Sequence, residues 1–136
     1  MGLILLEVVT PQKLVFRREV DEVTVPGLMG EFGIMPQHTP FLTTLGTGTL
    51  RTIRGKDVRK YVISGGFAEV SDDHVIVLTE SCEASDEVDL ARAKRALDAA
   101  EKAMMEGNGS PEESDQIFER AKRARARIEV AEGRDF

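Results

Sequence analysis

The chain has 136 residues, 41% of them hydrophobic, with 18 basic against 24 acidic side chains and a formal charge of −6. That length suits one domain with an appendage or two small domains, while the composition excludes general disorder and the acidic balance argues against a nucleic-acid partner. A single cysteine, Cys82, excludes an internal disulfide and any cysteine-rich metal site, and fits a reducing compartment.

The opening Met1-Gly2-Leu3-Ile4-Leu5-Leu6 is apolar but is interrupted by Glu7, carries no basic leader and resumes as Val8-Val9, so it predicts a first strand and not a signal peptide. No run approaches the length of a membrane span. Up to residue 84 the chain is rich in β-branched residues and is cut into short runs, which predicts strands over 3–9, 14–16, 22–25, 41–45, 49–53, 58–64, 67–70 and 75–79. The predicted turns are Thr10-Pro11-Gln12, Gly46-Thr47-Gly48, Arg54-Gly55-Lys56-Asp57, Ser64-Gly65-Gly66 and Ser71-Asp72-Asp73. Many short strands at this spacing predict an all-β sandwich or flattened barrel.

One segment interrupts that grammar. Gly27, Gly30, Gly33 and Pro36 recur every third residue, separated by Leu28, Met29, Phe32 and Met35 instead of polar loop residues. Two readings stand: a folded corner that closes the core, or a sharply turning surface that presents apolar side chains to another protein.

From Asp86 the period becomes helical. Leu90, Ala93, Leu97, Ala100 and Met104 form one stripe, and Asp86, Glu87 and Asp89 sit where a first turn favours carboxylates. Glu106-Gly107-Asn108-Gly109 ends that helix; Ser110-Pro111-Glu112-Glu113 then supplies a capping serine, a proline in first position and a capping-box glutamate for a second. Ile117, Ala121, Ala124, Ile128 and Ala131 make the matching stripe, so residues 85–136 predict an antiparallel α-helical hairpin after a β-domain of residues 1–84. The seam is mostly alanine. Each buried methylene contributes about 0.8 kcal/mol, so stiff helices meet along a weak contact, which suits either a plain stabilising extension or a conformational switch.

Catalytic patterns do not emerge. His38 and His74 stand alone, Cys82 has no histidine near it in sequence, and no cluster has metal-ligand spacing. Gly65-Gly66 before Phe67 reads as a bend that lets strands approach closely.

Taken in order, Val9-Thr10-Pro11, Val15-Phe16, Pro26-Gly27, Gly30-Glu31-Phe32-Gly33-Ile34, Pro36, His38, Pro40-Phe41-Leu42-Thr43, Gly48-Thr49-Leu50, Gly65-Gly66-Phe67-Ala68-Glu69-Val70, Val75-Ile76-Val77-Leu78 and Val88-Asp89-Leu90-Ala91-Arg92-Ala93 resemble the epsilon subunit of the bacterial F-type ATP synthase over essentially the whole chain. The resemblance implies a sandwich of about ten strands plus a two-helix domain. It also implies a non-catalytic rotor subunit that couples proton translocation to ATP synthesis on the cytoplasmic face of the cell membrane, with no cofactor of its own. Its implied partners are the gamma subunit, the ring of c subunits and the alpha and beta catalytic subunits. By that likeness Gly30, Glu31 and Phe32 would face the c ring, and His38, Thr39 and Pro40 would lie toward gamma. The hairpin would lie compact or extend toward the catalytic head and inhibit hydrolysis, some twenty helical residues reaching roughly 30 Å. Arg120, Lys122, Arg123, Arg125 and Arg127 would then meet acidic segments of the head, the alternative being a solvated face partly neutralised by Glu119 and Glu129.

Some members of that family bind regulatory ATP on the compact hairpin, and Val88, Asp89, Arg92 and Ala93, with Glu83 before them, match their motif except that valine replaces isoleucine or leucine. An arginine can pair with phosphate and a carboxylate can accept from adenine or ribose, but Asp89 and Arg92 three apart also suit an ordinary helix-start pair. A free-standing nucleotide-responsive module and a structural adaptor remain the alternatives to the rotor subunit.

Overall fold

The computed structural model describes residues 2–107 and 109–133; Met1, Asn108 of the predicted interhelix loop and residues 134–136 lie outside them. Eight strands come first: β1 (Ile4–Val9), β2 (Leu14–Val20), β3 (Glu22–Gly27), β4 (Gly30–Ile34), β5 (Phe41–Arg54), β6 (Asp57–Ser71), β7 (His74–Leu78) and β8 (Cys82–Ala84). A 3-10 turn (Ser85–Glu87) leads into α1 (Leu90–Glu106) and α2 (Pro111–Glu132). The strands follow the order β2-β1-β7-β6-β5-β3-β4, with β8 added to β6, and β1 runs parallel to its neighbour β7.

Two sheets arise because β5 and β6 are long and bend. Their outer halves pair as Phe41–Leu45 with Gly66–Val70, and their inner halves as Thr47–Arg54 with Asp57–Ser64. The first pairing joins β7, β1 and β2; the second joins β3, β4 and β8. Counting both halves of each bent strand, eight strands supply ten sheet segments. The predicted turns at Gly46-Thr47-Gly48 and Ser64-Gly65-Gly66 are therefore bends inside continuous strands. Glycine supplies the bend: Gly65 and Gly66 have φ of 67° and 110°, and a Cβ on Gly66 would lie 1.8 Å from the Leu78 carbonyl oxygen.

Between the sheets lie Ile4, Leu6, Val8, Val20, Val23, Val25, Ile34, Leu50, Ile63, Val75 and Val77, all essentially inaccessible. The sheet does not close into a barrel by hydrogen bonding; aromatic pairs span its two open sides. Phe16 of β2 stacks on Tyr61 of β6 with centroids 4.7 Å apart, and Phe32 of β4 meets Phe41 of β5 at 5.5 Å. Such pairs add roughly 0.5–1.5 kcal/mol beyond the area they bury.

On the Phe16 side an ion pair fastens the β5–β6 tip to β2. Arg18 Nη2 lies 2.5 Å from Asp57 Oδ2, and Arg59 reaches the same carboxylate at 3.2 Å. The hydrogen bond from Arg18, then that from Arg59, holds Asp57 below the ordinary carboxylate value of 3.8. A folded-state value below the unfolded one gives stability that is complete above the ordinary value and is lost as pH falls through the depressed one. Denaturation midpoints followed from neutral pH into acid should therefore decline below the ordinary carboxylate range, and Asp57→Asn should flatten part of that decline.

The helical half follows the predicted period with one correction. Asp86 and Glu87 belong to the separate 3-10 turn, and Asp89 is the N-cap of α1, its carboxylate accepting from the Arg92 amide at 3.0 Å. The extended Val88 between them breaks the run. At α2, Ser110 caps as predicted, its hydroxyl accepting from the Glu113 amide at 3.2 Å, and Pro111 opens the first turn. Ala93 and Ala100 of α1 and Ala121 and Ala124 of α2 are buried, whereas Met104 at the end of the predicted stripe is exposed.

Candidate functional site

Three surfaces carry the chemistry, and the first is assembled by strand register. Period-two alternation sends Ala68, Val70, Val75, Val77, Leu6 and Val8 into the core and their neighbours outward. Thr44 lies opposite Phe67, Phe67 opposite Leu78, Leu78 beside Val9 and Val9 opposite Leu14. An apolar row of Phe67, Leu78, Val9 and Leu14 thus crosses four strands over about 14 Å, with the exposed Thr44 at its β5 end. Phe67, Leu78 and Leu14 are 51%, 49% and 50% exposed, and Leu42, one row along, is 66% exposed. An apolar row of this extent in contact with water is a mark of an interaction surface. Sequence reading missed it, since its members lie at positions 9, 14, 67 and 78.

The second surface is the β3–β4 turn. Gly27 faces Gly30 across it, a Cβ on Gly27 would come within 2.8 Å of the Gly30 oxygen, and Gly30 has φ of 130°. That tight turn pushes Leu28 and Met29 outward, and Met29 is fully exposed. The glycine spacing is thus a hairpin, and Gly30 to Ile34 form a strand where none was predicted. Glu31 is exposed beside the turn, while Phe32 turns partly inward onto Phe41. The segment after β4 is held at Gln37, whose left-handed amide donates to Asp73 Oδ1 at 2.6 Å, and at His38, whose ring lies 5.1 Å from that of Phe41. His38 Nδ1 donates to the Thr39 carbonyl at 2.7 Å, so that nitrogen carries a proton, because a carbonyl only accepts. Thr39 and Pro40 are exposed. Phe41 therefore joins two predicted contact groups, Gly30 to Phe32 and His38 to Pro40.

The third surface is the contact of the hairpin with the sandwich. Val62 points out of the sheet and is buried with Ala126 and Val130 of α2 and with Val88. Around this small apolar patch the bonds are polar: Thr47 Oγ1 donates to Glu119 at 3.0 Å, Thr49 Oγ1 to Glu129 at 3.3 Å, and Arg127 Nε to Glu83 at 2.8 Å. Of the predicted nucleotide residues, Glu83 is engaged by Arg127, Asp89 by the helix cap, Val88 and Ala93 are packed inward, and Arg92 is exposed. The basic run is divided. Arg120, Arg123 and Arg127 line a groove of about 300 Å³ along the alanine seam, Arg125 reaches Glu101 at 4.0 Å, and Lys122 pairs with Glu119 at 3.6 Å.

Cys82 is half-buried against the core, and that desolvation, with Glu87 and Glu83 nearby, pushes its thiol up to about 12, which suits a packing residue. His74 pairs with Glu7 at 2.5 Å. Among the described residues no cluster could hold a metal, and no helix is long and apolar enough to cross a membrane.

Residues 4–85 match the family described as ATP synthase, Delta/Epsilon chain, beta-sandwich domain. The chain is 44% identical over 126 residues to ATP synthase epsilon chain 2 of Syntrophotalea carbinolica, covering 93% of this chain and 91% of that one. It belongs to the ATP synthase epsilon family. Membership makes it a non-catalytic subunit of that complex. The epsilon chain of Geotalea daltonii is 45% identical over 127 residues, covering 92% and 91%. Among solved structures, the Euglena gracilis mitochondrial ATP synthase with its OSCP, F1 and c-ring matches with a TM-score of 0.73 at 25% identity, over 97% of this chain and 79% of that one. A chain of the Tetrahymena thermophila mitochondrial ATP synthase central stalk and c-ring shares the fold, with a TM-score of 0.65 at 14% identity, over 94% and 96%.

Proposed function

We propose that this epsilon-family chain works in the rotor, peripheral to the membrane, as the piece that joins the gamma subunit to the ring of c subunits. The apolar row across β6, β7, β1 and β2 carries this reading, because an exposed stripe four strands wide needs a partner and leads through Leu42 of β5 toward His38, Thr39 and Pro40. Gamma is seated on that stripe. The β3–β4 turn, with Leu28, Met29 and Glu31 presented on a rigid two-strand base, meets the polar loops of the ring. Residues 1–84 do the coupling, and residues 85–136 restrain hydrolysis when the hairpin leaves the sandwich and α2 carries its basic residues toward the catalytic head.

Geometry supports this division of labour. The hairpin rests on the outer face of the sheet that contains Thr47, Thr49 and Val62, whereas the apolar row lies on the outer face of the other sheet. Gamma and the compact hairpin therefore do not compete for one surface. Phe67→Ser should weaken the complex with gamma about tenfold or more, as expected for a central aromatic in an interface. Titration of purified gamma against the wild-type and variant full-length chains is the test. Equal affinities would remove the stripe from the interface.

A further inference from the structure

The apolar stripe and the β3–β4 turn belong to different sheets, and the residues between β4 and β5 are not part of either ladder. What links the two surfaces is aromatic. Phe32 projects from β4, the edge strand of one sheet, and its ring also lies against Gly27, where a Cβ would meet its Cε1 at 3.0 Å. Phe41 projects from the edge of the other sheet, with its backbone fixed opposite Val70. Its ring stands 5.5 Å from Phe32 and 5.1 Å from His38. Close-packed rings transmit displacement because neither can move without the other.

We infer that Phe41 is a positioning residue that makes the β3–β4 turn and the His38–Pro40 segment one mechanical unit, so that a partner seated at the second biases the geometry of the first. This rests on the reading that gamma binds beside that segment and the ring meets the turn. The physical demand is specific. A turn that carries load must hold its direction, and its own two strands form only one edge of the sandwich. The Phe32–Phe41 contact braces it against the opposite sheet, and His38 ties that brace to the segment beside gamma.

The test has two parts, both on the full-length chain. In the isolated protein, His38 and His74 are the two histidines, so their ring proton resonances are readily separated. Phe32→Leu should shift the His38 resonance and leave that of His74 in place; in a Phe41→Leu background the same substitution should leave His38 unmoved. With gamma added, the backbone amides of Leu28, Met29 and Gly30 should shift in the wild type, and that response should fall by more than half in Phe41→Leu. Phe41→Tyr, which keeps the ring, should restore it. Affinity for gamma should drop about two- to tenfold in Phe41→Leu, the size of one aromatic pair. A His38 response to Phe32→Leu that survives loss of the Phe41 ring overturns the inference, as does a Phe41→Tyr variant that behaves like Phe41→Leu. If wild-type gamma binding is insensitive to Phe67→Ser, the assignment of gamma to the stripe falls, while the isolated-chain result still decides the aromatic coupling.

Discussion

Gly66→Ala should melt roughly 15 °C below the wild type, the largest effect expected of any single methyl addition in this fold. Two costs combine. The residue sits at φ 110°, where an L side chain is strained, and its new Cβ would fall 1.8 Å from the Leu78 carbonyl oxygen and 2.9 Å from the Thr79 Cα, both backbone atoms that cannot rotate away. Left-handed strain and overpacking each cost about 1–3 kcal/mol, so about 3 kcal/mol or more is expected against a total stability of roughly 5–15 kcal/mol. For a domain of this size each kcal/mol lowers the midpoint by about 4–8 °C. Thermal melts followed by circular dichroism check it, with Gly55→Ala as the comparison. Gly55 also has positive φ, at 60°, but nothing lies within 4 Å of its absent Cβ, so that variant should lose only about 1 kcal/mol. If the two variants melt together, close strand approach is not what fixes glycine at position 66.

Removing residues 87–136 should leave affinity for gamma within about twofold while raising hydrolysis by the assembled complex about fivefold or more, the lower end of ordinary coupling energies. The same equilibrium should respond to point changes in the hairpin's contact with the sandwich. Arg127 and Glu83 are each about one-third exposed, so their charge-assisted bond, discounted for screening, holds the compact state by about 1 kcal/mol. Arg127→Met should therefore shift the docked-to-undocked ratio about fivefold, as should disruption of the bonds from Thr47 and Thr49 in combination. Spin labels at the exposed positions Arg17 and Asp115 would report this as growth of a long-distance population. Loss of gamma binding on truncation would contradict the division between sandwich and hairpin, and a distance distribution unmoved by Arg127→Met would show that the apolar patch around Val62 holds the hairpin without that bond.

Most of the architecture was legible because its periods are strong. Alternation at Val23 and Val25 fixed a core strand, and Ser110 followed by Pro111 and Glu113 fixed the start of α2 within a residue. Glycine misled in both directions. At Gly46, Gly48, Gly65 and Gly66 it signalled turns, whereas the backbone bends there inside continuous strands, skipping only the Gly46–Gly65 rung of the ladder; at Gly30 and Gly33 it hid an edge strand that lacks β-branched residues before its last position. The exposed apolar surfaces were partly legible. Met29 and Leu28 could be suspected from apolar residues set among glycines, since a tight turn has no interior to hide them. The apolar row could not, because cross-strand neighbours are set by register, which one-dimensional spacing does not reveal. The helix-start role of Asp89 was legible in its place before Leu90, though its partner is the Arg92 amide and not the guanidinium; the engagement of Glu83 by Arg127 was not, since it depends on the docking of α2.

The two bent strands also bear on how load passes through the subunit. Phe67, under the apolar row, and Val62, under the hairpin, are five positions apart on β6, with Gly65 and Gly66 between them. A push on one outer face therefore reaches the other along peptide bonds rather than across a packed interface that could slip. With β5 running beside it, β6 acts as one of two continuous struts, and the stalk piece resists shear between its faces by stretching backbone. The weak alanine seam between α1 and α2 lies outside that continuous path.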